Sequence, residues 1–169
     1  MKRNNIILLL LIMTVFIGVK YVDANEKTKL KNNDKVYIQQ LEEQNKLLIQ
    51  ALDNLGPRSK EEVIKIYAEG VKTRSGPLQY SAMCKEQKEA FIQSMKKNEN
   101  YSWVTGFSSP WVTDYKVIYD KKNADNSYNV TIKFYWETAS GPFNESETSL
   151  KIVENNGIWC ITDIQNEYN

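Results

Sequence analysis

Histidine does not occur anywhere in this chain of 169 residues. Its absence removes the usual general base near neutral pH, the Ser-His and Cys-His nucleophile pairs, and the commonest metal ligand. Cysteine is nearly as scarce: Cys84 and Cys160 are the whole supply, and no Cys-x-x-Cys motif exists. An acidic calcium loop and a glycine-rich phosphate loop are also missing, so the sequence calls for no metal and no cofactor. Nor is there an excess of charge, with 22 Lys+Arg against 21 Asp+Glu. Three of the basic residues (Lys2, Arg3, Lys20) and one acid (Asp23) lie in the first 24 residues, which leaves the rest within one charge of neutrality. That balance offers no electrostatic footprint for nucleic acid or anionic lipid.

What is present begins with a targeting pattern. Met1-Lys2-Arg3 is a basic flank, and Ile6 to Val19 is an apolar run interrupted only by Thr14 and Gly18. As a helix that run spans about 21 Å, short of the ~30 Å hydrocarbon core. Two readings follow for residues 1–24. One is a signal peptide cleaved after Ala24, with Val22 and Ala24 at the −3 and −1 positions. The other is an uncleaved anchor extended through Tyr21 and Val22, with Lys20 snorkelling to the interface. No cysteine follows the apolar run to carry a lipid. Both readings export the chain to the extracellular or cell-surface side, and the basic flank keeps its first residues cytoplasmic.

Residues 25–58 join this segment to a domain over 59–169. Positions 25–35 are polar, a linker. From Val36, Ile38, Leu41, Asn45, Leu48, Leu52 and Leu55 advance by alternating steps of three and four, the seam of a short coiled coil. Asn45 takes an a-type position, where a buried amide sets register in a homodimer. The same pattern also describes one amphipathic helix laid on its own domain. Gly56-Pro57 ends it.

Ser59-Lys60-Glu61-Glu62 is a capping box, and Val63, Ile66, Tyr67, Gly70 and Val71 then form one helical face. Gly70 on that face implies close approach of a neighbour. Ser75-Gly76-Pro77 stops the helix, a turn over Leu78–Met83 follows, and Cys84, Lys88, Phe91, Ile92 and Met95 make a second helical face. Beyond a polar bridge at Lys96–Asn100 the period changes to two. Tyr115, Val117 and Tyr119 alternate with Lys116 and Ile118. Tyr128, Val130, Ile132, Phe134 and Trp136 alternate with polar partners in the clearest strand. Ser140-Gly141-Pro142 reads as a turn, Thr148–Glu154 as a third strand, and Asn156-Gly157 as a tight hairpin into a last strand, Ile158–Ile164. Helices followed by about four antiparallel strands predict an α+β fold, its helices packed across one face of a curved sheet.

That order of elements resembles the cone-shaped folds of the nuclear-transport-factor-2-like (NTF2-like) superfamily. The Gly76-Pro77-Leu78-Gln79-Tyr80 run and the stretch from Trp103 to Val112, with its Ser108-Ser109-Pro110-Trp111 core, resemble uncharacterised exported domains of that type in Gram-positive bacteria. The resemblance covers Ser59 to Tyr168. It implies architecture and location and brings no catalytic set with it.

Three groups of residues are candidates for function. Cys84 and Cys160 are either one disulfide or two separate buried thiols, since pairing does not follow from spacing. Arg74, Tyr80, Trp103 and Trp111 are candidates for contact with a partner protein or small ligand, because Trp and Tyr combine apolar area with a polar edge; the bland alternative makes Trp103 and Trp111 core. Asp114, Glu137 and Asp163 lie near strands, and nothing in their spacing pairs them. The reading that follows is a non-enzymatic extracytoplasmic binding domain. Two others stand beside it: a membrane-tethered scaffold subunit, which resembles those of bacterial secretion and conjugation machines, and an enzyme using carboxylate and Tyr without His.

Overall fold

The structure, a computed structural model, describes residues 34–54, 56–100 and 102–168. The targeting segment 1–24 and nearly all of the linker therefore lie outside the described residues. The chain divides into two units, Met1–Gln50 and Ala51–Asn169. The second takes in residues ahead of the Ser59 boundary read from the capping box. Residues 34–54 are helical (α1). Along α1 the seam residues Ile38, Leu41 and Leu48 are exposed, as is Asn45, while Leu52 is half-buried. Among the described residues no helix is long and apolar enough to cross a membrane.

The second unit is an α+β fold. Helix α2 (Lys60–Lys72) starts where the capping box places it: the Ser59 Oγ accepts the Glu62 N–H at 3.1 Å. The Glu62 carboxylate reaches one residue further back than the usual box, accepting the Arg58 N–H at 2.7 Å. Two short segments follow, α3 (Gly76–Ser81) and α4 (Lys85–Lys97). The expected turn over 78–83 is thus mostly a helix. Pro77 ends α2's pattern yet stands in the first turn of α3, where a missing N–H costs nothing, and Ser75 caps it.

Four antiparallel strands make one open sheet in the order β1-β2-β3-β4, with β1 Trp111–Lys122, β2 Tyr128–Thr138, β3 Gly141–Asn155 and β4 Ile158–Tyr168. Register shifts at Val112/Asp114, Val117/Tyr119, Trp136/Glu137 and Lys151/Ile152 interrupt the ladders. Such bulges bend a strand and raise its twist, which curves the sheet. The last hairpin turns at Asn156 and Gly157, whose φ of 54° and 77° are those of a type I′ turn. Strand β3 begins well before Thr148, the start expected from alternation. The reason is chemical: its inward positions at 146 and 148 are Ser and Thr, so no apolar period marks them.

The core lies between α2 and the inner face of the sheet. Val63, Ile64, Tyr67 and Ala68 of α2 pack over Val130, Ile132 and Phe134 of β2, Leu150 and Ile152 of β3, and Ile161 of β4. Tyr128 and Trp136, at the ends of the β2 alternation, are only partly buried. Burial of one such aliphatic side chain contributes roughly 1.5–3 kcal/mol, so this layer is the main stabilising term. On the far side, residues 82–84 lie along β4: Ile161 N–H donates to the Ala82 carbonyl and Cys84 N–H to the Ile161 carbonyl, each at 2.9 Å. There Cys84 and Cys160 are joined in a disulfide with Cα atoms 4.9 Å apart.

Candidate functional site

The site is built around the end of α2. Thr73 caps the helix, Arg74 follows with φ 57°, the Arg74 N–H donates to Val71 O at 3.1 Å, and the Ser75 N–H donates to Gly70 O at 2.8 Å. This pair of bonds is a Schellman ending, whose left-handed residue is most often glycine. Here it is arginine.

The next residues clamp a loop. Gly76 N–H donates to the Trp103 carbonyl at 2.8 Å, Thr105 N–H donates to the Arg74 carbonyl at 3.0 Å, and Ser75 and Val104 form an isolated bridge. A Cβ on Gly76 would stand 2.4 Å from the Trp103 oxygen, so only glycine admits this approach. Gly70 is tight in the same way, with the Gln79 backbone nitrogen 2.9 Å from where its Cβ would be. The expected close neighbour of Gly70 is therefore α3.

The four aromatic and basic residues singled out in the sequence fall into two places. Tyr80 and Trp103 join Phe91 in a ring cluster, with centroids 5.3 Å (Tyr80–Trp103) and 5.4 Å (Phe91–Trp103) apart. Tyr80 is buried, and its hydroxyl donates to the Asp53 carboxylate at 3.1 Å, which also holds Lys88 at 2.8 Å. Burial first, and then the Asp53 charge and hydrogen bond, push the Tyr80 pKa up to about 12. This cluster anchors the loop from behind. Arg74 and Trp111 instead line a cavity.

The cavity holds about 180 Å³ and lies between the end of α2, the loop over 105–110 and the inner face of the sheet. Tyr67, Val71, Val112 and Phe134 supply its apolar wall, and Trp111, Trp136, Pro110 and Phe107 surround it on the loop side. Phe107 is 83% exposed, an unusual state for a large apolar ring. Its polar lining comprises Arg74, Gln79, Thr105, Ser146, Glu147, Thr148 and Asn166. Several of these hold one another. The Gln79 amide donates to Gly70 O at 3.1 Å and to Thr105 Oγ1 at 2.7 Å. The Trp136 indole donates to Ser146 Oγ at 2.8 Å, and Thr148 Oγ1 donates to Asn166 Oδ1 at 3.0 Å. The guanidinium of half-buried Arg74 has no hydrogen bond or ion pair among the described residues.

Sequence reasoning missed Gln79, Thr105, Phe107, Trp136, Ser146 and Asn166. Trp136 looked like the end of a core alternation, and the hydroxyl residues of β3 carried no signal. Asp114, Glu137 and Asp163 do not line the cavity, and among the described residues no three acidic or thiol groups gather as a metal site. A second hollow, on the sheet's outer face beside Asp125 and Asp163, has its polar groups committed to each other. Asp125 accepts from Ser127 and from Lys151 at 3.1 Å, and these bonds, Ser127's first, hold its pKa down to about 2. Asp163 accepts from Gln165 at 2.8 Å.

No family model matches the chain, and no curated protein matches it. Among solved structures, a periplasmic fragment of TraM aligns with 67% of this chain and 100% of its own at 8% identity, with a TM-score of 0.34. A likeness that distant transfers no function.

Proposed function

We propose that this chain is an exported, NTF2-like binding module of a Gram-positive-type cell envelope, whose cavity receives a small ligand or one side chain of a partner protein. The observation that carries this reading is the cavity: aromatic walls around a half-buried arginine that has no counter-charge among the described residues. Concave, mostly apolar sites with a few placed polar groups are the usual form of ligand pockets. The chain's lack of histidine supports binding over catalysis, and the basic-then-apolar start and the disulfide support export.

The test is a fragment screen read by calorimetry. Fragments that enter the cavity should lose at least tenfold in affinity on Trp111→Ala, with a melting temperature within a few degrees of the parent, because Trp111 is only half-buried. Equal affinity for every fragment in both proteins would sink the reading.

A second reading, a membrane-tethered scaffold subunit, is favoured by one observation: the apolar seam of α1 faces solvent at Ile38, Leu41 and Leu48. Sedimentation of the full chain should then show a concentration-dependent dimer that Leu48→Lys abolishes. A strict monomer at all concentrations would end it.

A further inference from the structure

Resting on that reading of the cavity, we infer that its ligand is a carboxylate joined to a compact apolar body, anchored by Arg74. The lining has hydrogen-bonding capacity left over, most of it in donors. Among the described residues the Arg74 guanidinium has every N–H uncommitted. Thr105 Oγ1 accepts from Gln79 and keeps its own O–H to donate; Ser146 Oγ accepts from Trp136 and does likewise. Asn166 uses its carbonyl oxygen and leaves its NH₂ without a partner among the described residues. Against these donors, the acid in the lining, Glu147, has one carboxylate oxygen 3.4 Å from Lys133, and the neutral acceptors left over among the described residues are Gln79 Oε1 and Thr148 Oγ1. A site with spare donors around a cation is complementary to an acceptor-only group, and an ionised carboxylate is such a group.

The backbone points to the same residue. Arg74 occupies a left-handed position where glycine is the relaxed choice. A side chain there carries a local cost, and outliers of that kind point toward a task at the site. The αL turn takes Arg74 out of the helical series, and Arg74 lines the cavity.

Size and charge then narrow the ligand. A volume of about 180 Å³ is close to the ~150 Å³ cavity that admits a benzene ring, so the body is one ring or one branched chain. One guanidinium matches the single charge and planar fork of a carboxylate better than a doubly charged phosphate. The chemistry is shared by two sources: a free small acid, and the C-terminal residue of a peptide whose side chain fills the cavity.

The experiment uses the full chain in phosphatidylcholine nanodiscs, titrated calorimetrically with phenylacetate, N-acetyl-phenylalanine and the neutral amide of each. The expected result is that an acid binds about tenfold more tightly than its own amide, and that Arg74→Gln and Arg74→Gly both erase the difference. A preference confined to N-acetyl-phenylalanine assigns the site to chain ends; one that includes phenylacetate assigns it to free acids. Arg74→Gly separates binding from folding, since glycine suits the left-handed position and should leave the melting temperature equal or higher. Equal affinity for acid and amide, with Trp111 still required, overturns the carboxylate and leaves the cavity reading standing. No binding of any probe, together with a fragment screen blind to Trp111→Ala, overturns both.

Discussion

Removing the Cys84–Cys160 bond, by reductant or by Cys84→Ser with Cys160→Ser, should lower the free energy of unfolding by about 4 kcal/mol. The bond spans 76 residues, so in the chain-entropy view it removes a large set of open conformations from the unfolded state. It ties the start of α4 to β4, the edge strand opposite β1. Backbone bonds at the same place survive reduction, because Cys84 N–H and Ile161 O need no sulfur. The reduced domain should therefore stay folded at room temperature and melt on the order of 15 °C lower. Urea unfolding with and without reductant measures this directly. A shift under 1 kcal/mol would mean that the two halves are already held together in the unfolded ensemble, contrary to the expectation.

Phe134→Ala should cost about 3–5 kcal/mol. Phe134 is 1% exposed and stands on the inner face of β2, paired with Tyr115 on one side and Ser146 on the other. Its ring packs 6.2 Å from that of Tyr115 and also forms part of the cavity wall. Deleting it removes transferred apolar area and leaves a void, but that void adjoins a cavity that is already open. The loss should therefore fall toward the lower half of the range, whereas Phe134→Leu, which nearly conserves volume, should cost less than about 1.5 kcal/mol. The same Phe134→Ala protein should accept bulkier acids than the parent. Chemical denaturation gives the stability, and calorimetry with a naphthyl acid gives the cavity. Full stability in Phe134→Ala would contradict the packing described.

Much of the fold could be read from patterns that are local. The capping box at Ser59, the helical face of Val63, Ile66 and Tyr67, the β2 alternation and the Asn156-Gly157 hairpin each depend on neighbours within one or two turns, where sequence spacing and geometry coincide. The misreadings share one cause. At Gly76–Ser81 and over the first half of β3, local apolar period is absent: the first is a short helix held by its Ser75 cap and local bonds, and the second is a strand because β2 supplies its partners. Ser146 is a strand residue through its pairing with Phe134. Gly76 is required because of Trp103, far along the chain.

The candidate site divides along the same line. Arg74 and Trp111 were legible as unusual side chains near loop signals. Tyr80 and Trp103 were equally legible and are placed elsewhere, because ring clusters and cavity walls draw on the same residue types. Nothing in the spacing of Gln79, Ser146 or Asn166 announces that they share a wall.

Composition and pattern alone determined the lack of histidine chemistry, the α+β class and the order of elements apart from α3, since these depend on which residues exist and on short-range periodicity. The tertiary structure alone decided that Arg74 ends a helix in a left-handed turn without a counter-charge among the described residues, that Cys84 meets Cys160, and that hydroxyls of β3 face a cavity. Those facts depend on how bulges curve the sheet and how a loop is clamped against α2, which are sums over long-range contacts that no local window contains.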